Sequence, residues 1–217
     1  MPDLSTSQVQ RLGERLRKSV TPEDLALLRE LRESYRPVLD AVVADVRQVV
    51  ADADVVVQVG TRPAKTTRSI IAKLHRERTN LARMQDIAGC RFVVPRMVDQ
   101  NAVVIGLAGR HQDWRVDDLR VTPHHGYRAV HLITPRPRSV EVQVRTIVQD
   151  VWASVSEALD RQYEGFKYGR GPGEWVQRLR EGSARIAAWE AEGGPDDELL
   201  LKPRAFAARL TAMLLEP

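Results

Sequence analysis

Apolar residues recur three or four positions apart through the first fifty residues, the spacing that places them on one face of a helix. Thr21 and Pro22 are residue types that begin a helix, as the N-cap and the first helical position. We therefore predict a helix over residues 5–18, a second from Thr21 that Pro37 kinks or breaks, and a third over residues 38–50. Nothing in this part of the chain suggests chemistry.

The pattern changes after residue 54, where short apolar runs and alternating segments lie between further helical stretches. Short alternating segments are typical of strands. We predict strands at 55–59, 92–94, 114–121, 127–133 and 139–146, with a turn at 60–63. Helices are predicted over 65–78, over 98–110, from Thr146, and, after a glycine-rich linker at 169–173, over 174–192 and 203–215.

Composition narrows the class of protein. A chain of 217 residues is long enough for one sizeable domain, and 43% hydrophobic with 29% charged residues is ordinary for a globular protein in water. The net charge of +4 permits an anionic ligand without indicating nucleic acid. The single cysteine, Cys90, excludes an internal disulfide, which fits a reducing cytosol. We see neither a signal peptide nor an apolar run that could span a membrane, so we expect a cytoplasmic protein with no membrane partner.

An acid lies just before a strongly apolar predicted strand. Asp86 precedes Phe92-Val93-Val94, so a rigid sheet would hold its carboxylate in place. Arg91 follows Asp86 at an odd offset, which in a regular strand places the two side chains on opposite faces. If both serve one site, Ala88-Gly89 must bend the chain.

A basic helix face is predicted upstream of that strand. Ser69, Lys73 and Arg76 share one face of the helix, and Arg62 and Lys65 lie near its N-terminal end. Cations at a helix N-terminus suit phosphate groups, and a guanidinium suits stacking on a planar base. A solvated basic face is the alternative interpretation.

Histidines and a tyrosine occur together before and within the strand predicted at 127–133. His124, His125 and Gly126 form a loop, Tyr127 opens the strand, and His131 shares the face of Tyr127. We do not expect zinc, because no cysteine or spaced acid completes a ligand set nearby. A tyrosine that stacks on a base beside polar histidines fits the loop better.

The strand predicted at 139–146 has one polar face. Glu141, Gln143 and Arg145 lie on it, and valines occupy the other. Together with Asp86 on another strand, Glu141 supplies two carboxylates that could hold magnesium against a nucleoside triphosphate.

Four motifs follow one another along the chain: Arg-Pro-Ala-Lys-Thr-Thr-Arg-Ser-Ile-Ile-Ala-Lys-Leu, Asp-Ile-Ala-Gly-Cys-Arg, Gly-Tyr-Arg-Ala-Val-His and Glu-Val-Gln-Val-Arg-Thr. In this order they closely resemble the RelA/SpoT synthetase domain over about residues 55–163, and the chain is similar in size to the small alarmone synthetases. The resemblance implies an α/β (α+β) fold, with a nucleotidyltransferase-like mixed β-sheet flanked by helices and with helical N- and C-terminal extensions.

The same resemblance implies an activity and its site. The family moves pyrophosphate from ATP to the ribose 3′-hydroxyl of GDP or GTP, making ppGpp or pppGpp in the stringent response, with Mg²⁺ as cofactor. Asp86 is implied as a catalytic magnesium ligand, and Glu141 as the second acid, which assists the metal or takes the acceptor proton. The other implied residues are Arg62, Lys65, Ser69, Lys73, Arg76 and Arg91 for ATP, and His124, His125, Gly126, Tyr127, His131, Gln143 and Arg145 for the acceptor. Arg62 and Arg91 are implied to sandwich the adenine.

The chain departs from the family in its acceptor loop. Relatives carry Pro-Lys-x-Asn-Gly-Tyr, where this chain has the shorter Pro123-His124-His125-Gly126-Tyr127. Arg62 also lies one residue further from Lys65 than in relatives, and their Trp-Ala-x-Leu-Glu-His becomes the segment 152–157. No His-Asp dipeptide occurs, so we do not expect the family's hydrolase activity.

Two further functions stay open. The altered loop and the basic balance suit a toxin-type relative that pyrophosphorylates the 3′-terminal adenosine of tRNA or an adenine nucleotide, with an antitoxin protein as partner. The other function is that of an inactive regulatory or RNA-binding module. The presence of both Asp86 and Glu141 argues against it.

We divide the chain into an N-terminal helical extension over residues 1–54, a RelA/SpoT-like pyrophosphokinase core over 55–165 and a C-terminal helical extension over 166–217. Apolar faces on the terminal helices would suit a homo-oligomer, as in similar small synthetases. The alternative is that these faces pack on their own domain.

Overall fold

A five-stranded mixed sheet lies at the centre of the computed structural model, which describes residues 4–215. Its strands are β1 (Gln58–Arg62), β2 (Ala88–Val94), β3 (Arg115–Asp118), β4 (Val130–Ile133) and β5 (Val140–Thr146). They are arranged in the order β1-β2-β5-β4-β3, and β2 and β5 are parallel whereas the other neighbours are antiparallel. The predicted fold class is therefore confirmed.

Helices flank this sheet and also form the two ends of the described chain. They are α1 (Thr6–Lys18), α2 (Pro22–Glu33), α3 (Arg36–Asp52), α4 (Thr67–Glu77), α5 (Met97–Arg110), α6 (Ile147–Gln162), α7 (Gly173–Ala191), α8 (Asp197–Leu200) and α9 (Pro203–Leu215), with short 3₁₀ segments at Leu81–Arg83 and Phe166–Tyr168. None of the helices between residues 4 and 215 has the length and hydrophobicity that crossing a membrane requires.

The predicted helix starts are confirmed by their caps. Ser5 and Thr146 each form a capping box, and the Thr21 side chain accepts a hydrogen bond from the Asp24 backbone. Pro37 breaks the helix rather than kinking it, since α2 ends at Glu33 and the proline lies in the first turn of α3.

The predicted position of the first strand is wrong by three residues. It runs over Gln58–Arg62 instead of 55–59, so the residues predicted as a turn at 60–62 belong to the sheet. The cause is pairing with a distant strand: the register of β1 on β2 runs from Gln58 opposite Val93 to Arg62 opposite Gly89. Val55 and Val57 pack against the core before the strand begins.

Two further expectations near the site are corrected. Strand β4 begins at Val130, so Tyr127 lies in the preceding loop and does not open the strand. Strand β2 pairs with β5 in unbroken register from Ala88, so Ala88-Gly89 does not bend the chain, and Asp86 lies before the strand. Gly89 serves a close approach, because a Cβ there would lie 2.8 Å from the backbone oxygen of Glu141.

The two faces of the sheet differ in chemistry. Apolar side chains of β2, β4 and β5 share a buried cluster with α1 to α5, which covers one face. The register places Arg91, Gln143 and His131 in one row across the other face. The polar face is therefore where several strands bring charged side chains together.

A second hydrophobic cluster joins α6 to the C-terminal helices, through residues such as Trp152, Leu179, Ile186 and Phe206. The N-terminal helices instead share the cluster of the sheet. The division of the chain at residues 54 and 165 stays a prediction. Residues 1–3 and 216–217, which belong to the expected extensions, lie outside the described residues.

Candidate active site

Two neighbouring cavities lie along the polar face of the sheet and share one wall. The first, of about 240 Å³, is lined by Arg62 and Arg91, and we call it the arginine cavity. The second, of about 740 Å³, is lined by Tyr127 and Asp86, and we call it the tyrosine cavity. Four residues line both cavities: Glu141, Gln143, Arg145 and Glu157.

Asp86 is held by two lysines. Its carboxylate accepts hydrogen bonds from the ammonium groups of Lys65 and Lys73, the latter at 3.0 Å. Burial alone would raise the pKa of Asp86, but the charges and hydrogen bonds of the two lysines lower it below its usual value. Burial also lowers the pKa of Lys65, and the attraction of Asp86 opposes this only in part. The carboxylate is therefore kept ionised and close to cations.

The N-terminal helices help to position this cluster. Arg32 of α2 donates a hydrogen bond to the backbone carbonyl of Lys65 at 2.8 Å. The backbone N–H of Lys65 donates to the carbonyl of Ile87, immediately after Asp86. The segment that carries Lys65 is thus fixed from both sides.

The two arginines of the arginine cavity come from neighbouring strands. Arg62 ends β1 and donates from Nη2 to the Asp86 carbonyl at 3.1 Å. Arg91 lies in the middle of β2 and forms an ion pair of 3.1 Å with Asp150 of α6. Cys90 also borders this cavity, but its side chain belongs to the buried cluster on the other face of the sheet, and burial raises the pKa of its thiol to about 12. The cavity therefore offers two guanidinium groups.

A directional chain of hydrogen bonds leads to Glu141. Arg145 donates to the Tyr127 hydroxyl at 2.9 Å, and this hydroxyl lies 2.8 Å from Nε2 of His131. Nδ1 of His131 in turn lies 3.3 Å from Oε1 of Glu141. In this arrangement the Tyr127 hydroxyl can donate to Nε2 of His131, and an N–H at Nδ1 of His131 can donate to the carboxylate.

The environment of Glu141 favours its charged form. Burial would raise its pKa, but hydrogen bonds from His131 and from Gln143, at 2.6 Å, lower the pKa below its usual value. The charge of Asp86 opposes this lowering, and both acids line the tyrosine cavity. For Tyr127, burial is the dominant cause and raises the pKa of the phenol.

The loop before Tyr127 is a tight turn. Its central residues His125 and Gly126 both have positive φ, at 54° and 89°, as in a type I′ turn. The Tyr127 N–H donates to the His124 carbonyl at 2.9 Å. Gly126 is required sterically, because a Cβ there would lie 2.9 Å from the ring of Trp152. The turn is pressed against α6 and so fixes where the Tyr127 ring lies.

Most of the predicted site residues are brought together. His124, His125, Tyr127, His131, Gln143 and Arg145 line the tyrosine cavity, and Gly126 lies behind it in the turn. Ser69 and Arg76 line neither cavity: the Ser69 hydroxyl accepts from Thr66 at 2.8 Å, and Arg76 pairs with Glu77 and lies 4.8 Å over the Tyr168 ring. Their helix lies near the site, but neither side chain forms part of a cavity wall.

The sequence analysis missed two side chains of the site. Glu157 of α6 lines both cavities, and Tyr168 lines the tyrosine cavity. A signal for Glu157 existed, since this acid stands where relatives carry His, directly after their Glu position. Tyr168 directly precedes the glycine-rich linker at 169–173, and no pattern around it marks a site residue.

The two acids fit a magnesium ion that substrate phosphates complete. Mg²⁺ is commonly bound by one or two carboxylates together with phosphate oxygens rather than by an all-protein cage. Within residues 4–215, no group of three or more His, Cys, Asp or Glu side chains is placed to hold a metal. Asp86 and Glu141 supply the smaller donor set.

Comparison with known proteins gives a family match and several similar sequences. Residues 62–166 match the family described as a region found in RelA / SpoT proteins. The GTP pyrophosphokinase YjbM of Bacillus subtilis is 31% identical over 121 residues, which cover 48% of this chain and 57% of YjbM. The chain thus spans about half the length of the curated relatives that it matches.

Solved structures agree in fold. The small alarmone synthetase 2 from Bacillus subtilis superposes with a TM-score of 0.62 at 27% identity, covering 82% of this chain and 98% of that one. The complex between the Type VI effector Tas1 and its immunity protein gives a TM-score of 0.52 at 17% identity, covering 81% of this chain and all of that one. At that lower identity the likeness shows a shared fold alone.

Proposed function

We propose, from the premise that residues 62–166 are a RelA/SpoT region, that this protein transfers pyrophosphate from ATP to the ribose 3′-hydroxyl of GDP or GTP. The observation that carries the proposal is the pair of cavities that meet at Glu141. One offers two guanidiniums and the other a tyrosine with histidines, so two nucleotides can lie on either side of one buried carboxylate. The similarity to a GTP pyrophosphokinase supports this reading.

ATP would occupy the arginine cavity and the lysine cluster beside it. Arg62 and Arg91 would hold the adenine by stacking, for which planar guanidiniums are suited. The phosphates would draw Lys65 and Lys73 from Asp86, with Ser69 and Arg76 further along the same helix. Because both lysines now neutralise Asp86, their transfer to phosphate would free that carboxylate.

Magnesium, held by Asp86 and Glu141, would neutralise charge on the triphosphate. The chain's own residues provide the rest. Gln143 and His131 hold the Glu141 carboxylate toward the shared wall, and the Tyr127 ring is positioned to stack on the acceptor base.

The transfer exchanges one phosphorus–oxygen bond for another. The acceptor 3′-oxygen bonds to the β-phosphorus of ATP, and the bond from that phosphorus to the α–β bridging oxygen breaks, releasing AMP. Glu141 takes the hydroxyl proton. Because its pKa is lowered, Glu141 is ionised and ready at neutral pH, and it is a weak base whose proton passes on readily.

The acceptor loop favours a second candidate. His124 and His125 stand in the tyrosine cavity where relatives carry other residues, so an adenine nucleotide or the 3′-terminal adenosine of tRNA is the alternative acceptor. A Type VI effector that forms a complex with an immunity protein shares the fold, which is compatible with a neutralising protein partner for this chain. Homo-oligomer formation through the terminal helices and a cytoplasmic location remain expectations.

Labelled ATP tests the activity and the acceptor together. The protein is incubated with γ-labelled ATP and magnesium, in parallel with GDP, GTP, excess unlabelled ATP and tRNA. We expect label in GDP or GTP together with release of AMP. Label in tRNA alone, or in an adenine nucleotide that has gained a 3′-pyrophosphate, would replace the acceptor. Label in no acceptor, from a folded protein that binds ATP, would favour an inactive module.

A further inference from the structure

A third cavity lies behind the turn that presents Tyr127. It has a volume of about 540 Å³ and shares His125 and Pro123 with the tyrosine cavity. Its walls come from the turn itself, from the residues around β4 and from α7. The third cavity and the tyrosine cavity are therefore neighbours, separated by these two residues of the turn.

The lining of this third cavity is basic. Arg120, Arg128 and Arg180 line it, and none of its lining residues is an acid. The acids that engage two of these arginines lie outside the lining: Asp118 bonds to Arg120, and Glu190 lies 3.5 Å from Nη2 of Arg128. Three guanidiniums face two carboxylates, so positive charge remains for a further anion.

Arg128 gives an independent sign of a missing counterpart. The residue is more than nine-tenths buried, and its Nε and Nη1 have no hydrogen-bond partner among the described residues. Buried polar groups are normally hydrogen-bonded, and a charged guanidinium forms strong hydrogen bonds with phosphate oxygens. A buried guanidinium that uses one nitrogen for an ion pair therefore fits an anion-binding wall.

Hydrogen bonds connect the third cavity to the turn that precedes Tyr127. Arg180 of α7 donates to Nδ1 of His125 at 3.0 Å, and the Ser183 hydroxyl donates to the Gly126 carbonyl at 2.5 Å. An anion that engaged Arg180 and Arg128 would thus bear directly on the position of the turn.

We propose that this third cavity is a subsite for a phosphate group. The phosphate belongs either to the 5′ end of the acceptor nucleotide in the tyrosine cavity, a source that rests on the proposed function, or to a separate phosphate anion. In both cases the bound anion holds the turn through Arg180 and so supports the acceptor site.

The test uses Arg180→Gln, which removes an exposed cation at the rim, and Arg178→Gln as a matched control on the same helix outside the lining. Calorimetry without ATP measures the affinities for GDP and guanosine. If the 5′-phosphate occupies the subsite, Arg180→Gln weakens GDP binding about tenfold, the scale of one charge-assisted hydrogen bond, and leaves guanosine binding unchanged. Arg178→Gln should match the parent.

Inorganic phosphate distinguishes the second source. If the subsite binds a separate anion, inorganic phosphate should raise the melting temperatures of the parent and of Arg178→Gln more than that of Arg180→Gln. The ratio of GDP affinity to guanosine affinity should then be the same in all three proteins. If the two variants behave alike in both measurements, the subsite is contradicted. If no acceptor nucleotide binds, the proposed function fails, and the melting comparison with inorganic phosphate still decides this inference.

Discussion

The arginine cavity and the tyrosine cavity share a wall but rest on different parts of the molecule. The strands β1 and β2 beside the arginine cavity, and the segment that carries Asp86, pack into the cluster of the sheet and the N-terminal helices. Tyr127 and Trp152, on the tyrosine cavity, pack into the cluster that α6 forms with the C-terminal helices. Each cavity therefore has its own structural support, and Glu141 on β5 lies where the two meet.

The two sides also use different chemistry. The Asp86 side is built from ion pairs, in which Lys65, Lys73 and Arg91 each have an acidic partner. The tyrosine side is built from directional hydrogen bonds that run from Arg145 through Tyr127 and His131 to Glu141. Lysines and arginines that can leave an acidic partner are suited to bind phosphate groups. Hydrogen-bond donors and acceptors in fixed positions are suited to select a base and to orient a hydroxyl.

Asp86→Asn and Glu141→Gln should have the largest effects, and the first should act through the metal and the ATP phosphates. Asparagine keeps the shape but loses the charge for magnesium, so we expect transfer to fall by at least about a hundredfold. Acceptor binding should survive. Asp117→Asn, a half-buried acid on the same face of the sheet outside both cavities, is the control. Transfer within about threefold of the parent, roughly 0.7 kcal/mol, would remove Asp86 from the site.

Glu141→Gln should abolish transfer while both nucleotides still bind. The amide keeps the size of the side chain but cannot take the acceptor proton or match the carboxylate toward a metal. Steady-state rates and separate calorimetric titrations with a non-hydrolysable ATP analogue and with GDP check this. Parental rates would sink the proposed role, and loss of only one nucleotide would assign Glu141 to one side.

Tyr127→Ala should weaken use of the acceptor by roughly ten- to a hundredfold and leave ATP binding nearly intact, since base stacking is worth about 1–3 kcal/mol. Tyr127→Phe keeps the ring but removes the hydroxyl that contacts His131 and Arg145, so its effect should be smaller. The readout is KM for the acceptor and for ATP in both variants. Equal losses for alanine and phenylalanine would mean that the hydroxyl, not the ring, matters.

The pH dependence of stability should reveal the ion pairs of Asp86. Its folded pKa lies below the usual value, so its contribution is present above about pH 4 and is lost as the pH falls through the folded pKa. The difference in melting temperature between the parent and Asp86→Asn should therefore shrink as the pH is lowered from about 7 to 3. A difference that is constant over this range would mean that the lysines do not stabilise the carboxylate.

His125→Asn should have the smallest effect. Asparagine tolerates the positive φ of this position better than histidine, so the melting temperature should stay equal or rise slightly. The contact with Arg180 is lost, and we expect the preference between GDP and ADP to change by about threefold, within the range of one neutral hydrogen bond. Competition between the two acceptors measures it. A melting temperature clearly below that of the parent would contradict the backbone argument.

The sequence predicted which residues meet at the tyrosine cavity better than which residues line the arginine cavity. The loop before Tyr127 and the alternating positions of two strands place the predicted acceptor residues together, whereas Ser69 and Arg76 line neither cavity. The place of β1 was missed because it depends on pairing with β2, and Glu157 because the acid has moved along its helix.

The acceptor turn shows the limit most clearly. It is held by Ser183 and Arg180, which follow it by more than fifty residues and lie beyond the matched family region. No local sequence pattern predicts a contact between residues that are so far apart along the chain. Periodicity did predict α7, but the face that α7 presents to the turn follows only from how the second cluster packs.

Simultaneous binding of two nucleotides tests the account most directly. GDP is titrated into the protein with and without a saturating non-hydrolysable ATP analogue and magnesium, in the parent, in Tyr127→Ala and in Arg91→Ala. We predict that GDP binds in the presence of the analogue, that Tyr127→Ala weakens only GDP, and that Arg91→Ala weakens only the analogue. Competition between the two ligands for one site in the parent would contradict the two-cavity account.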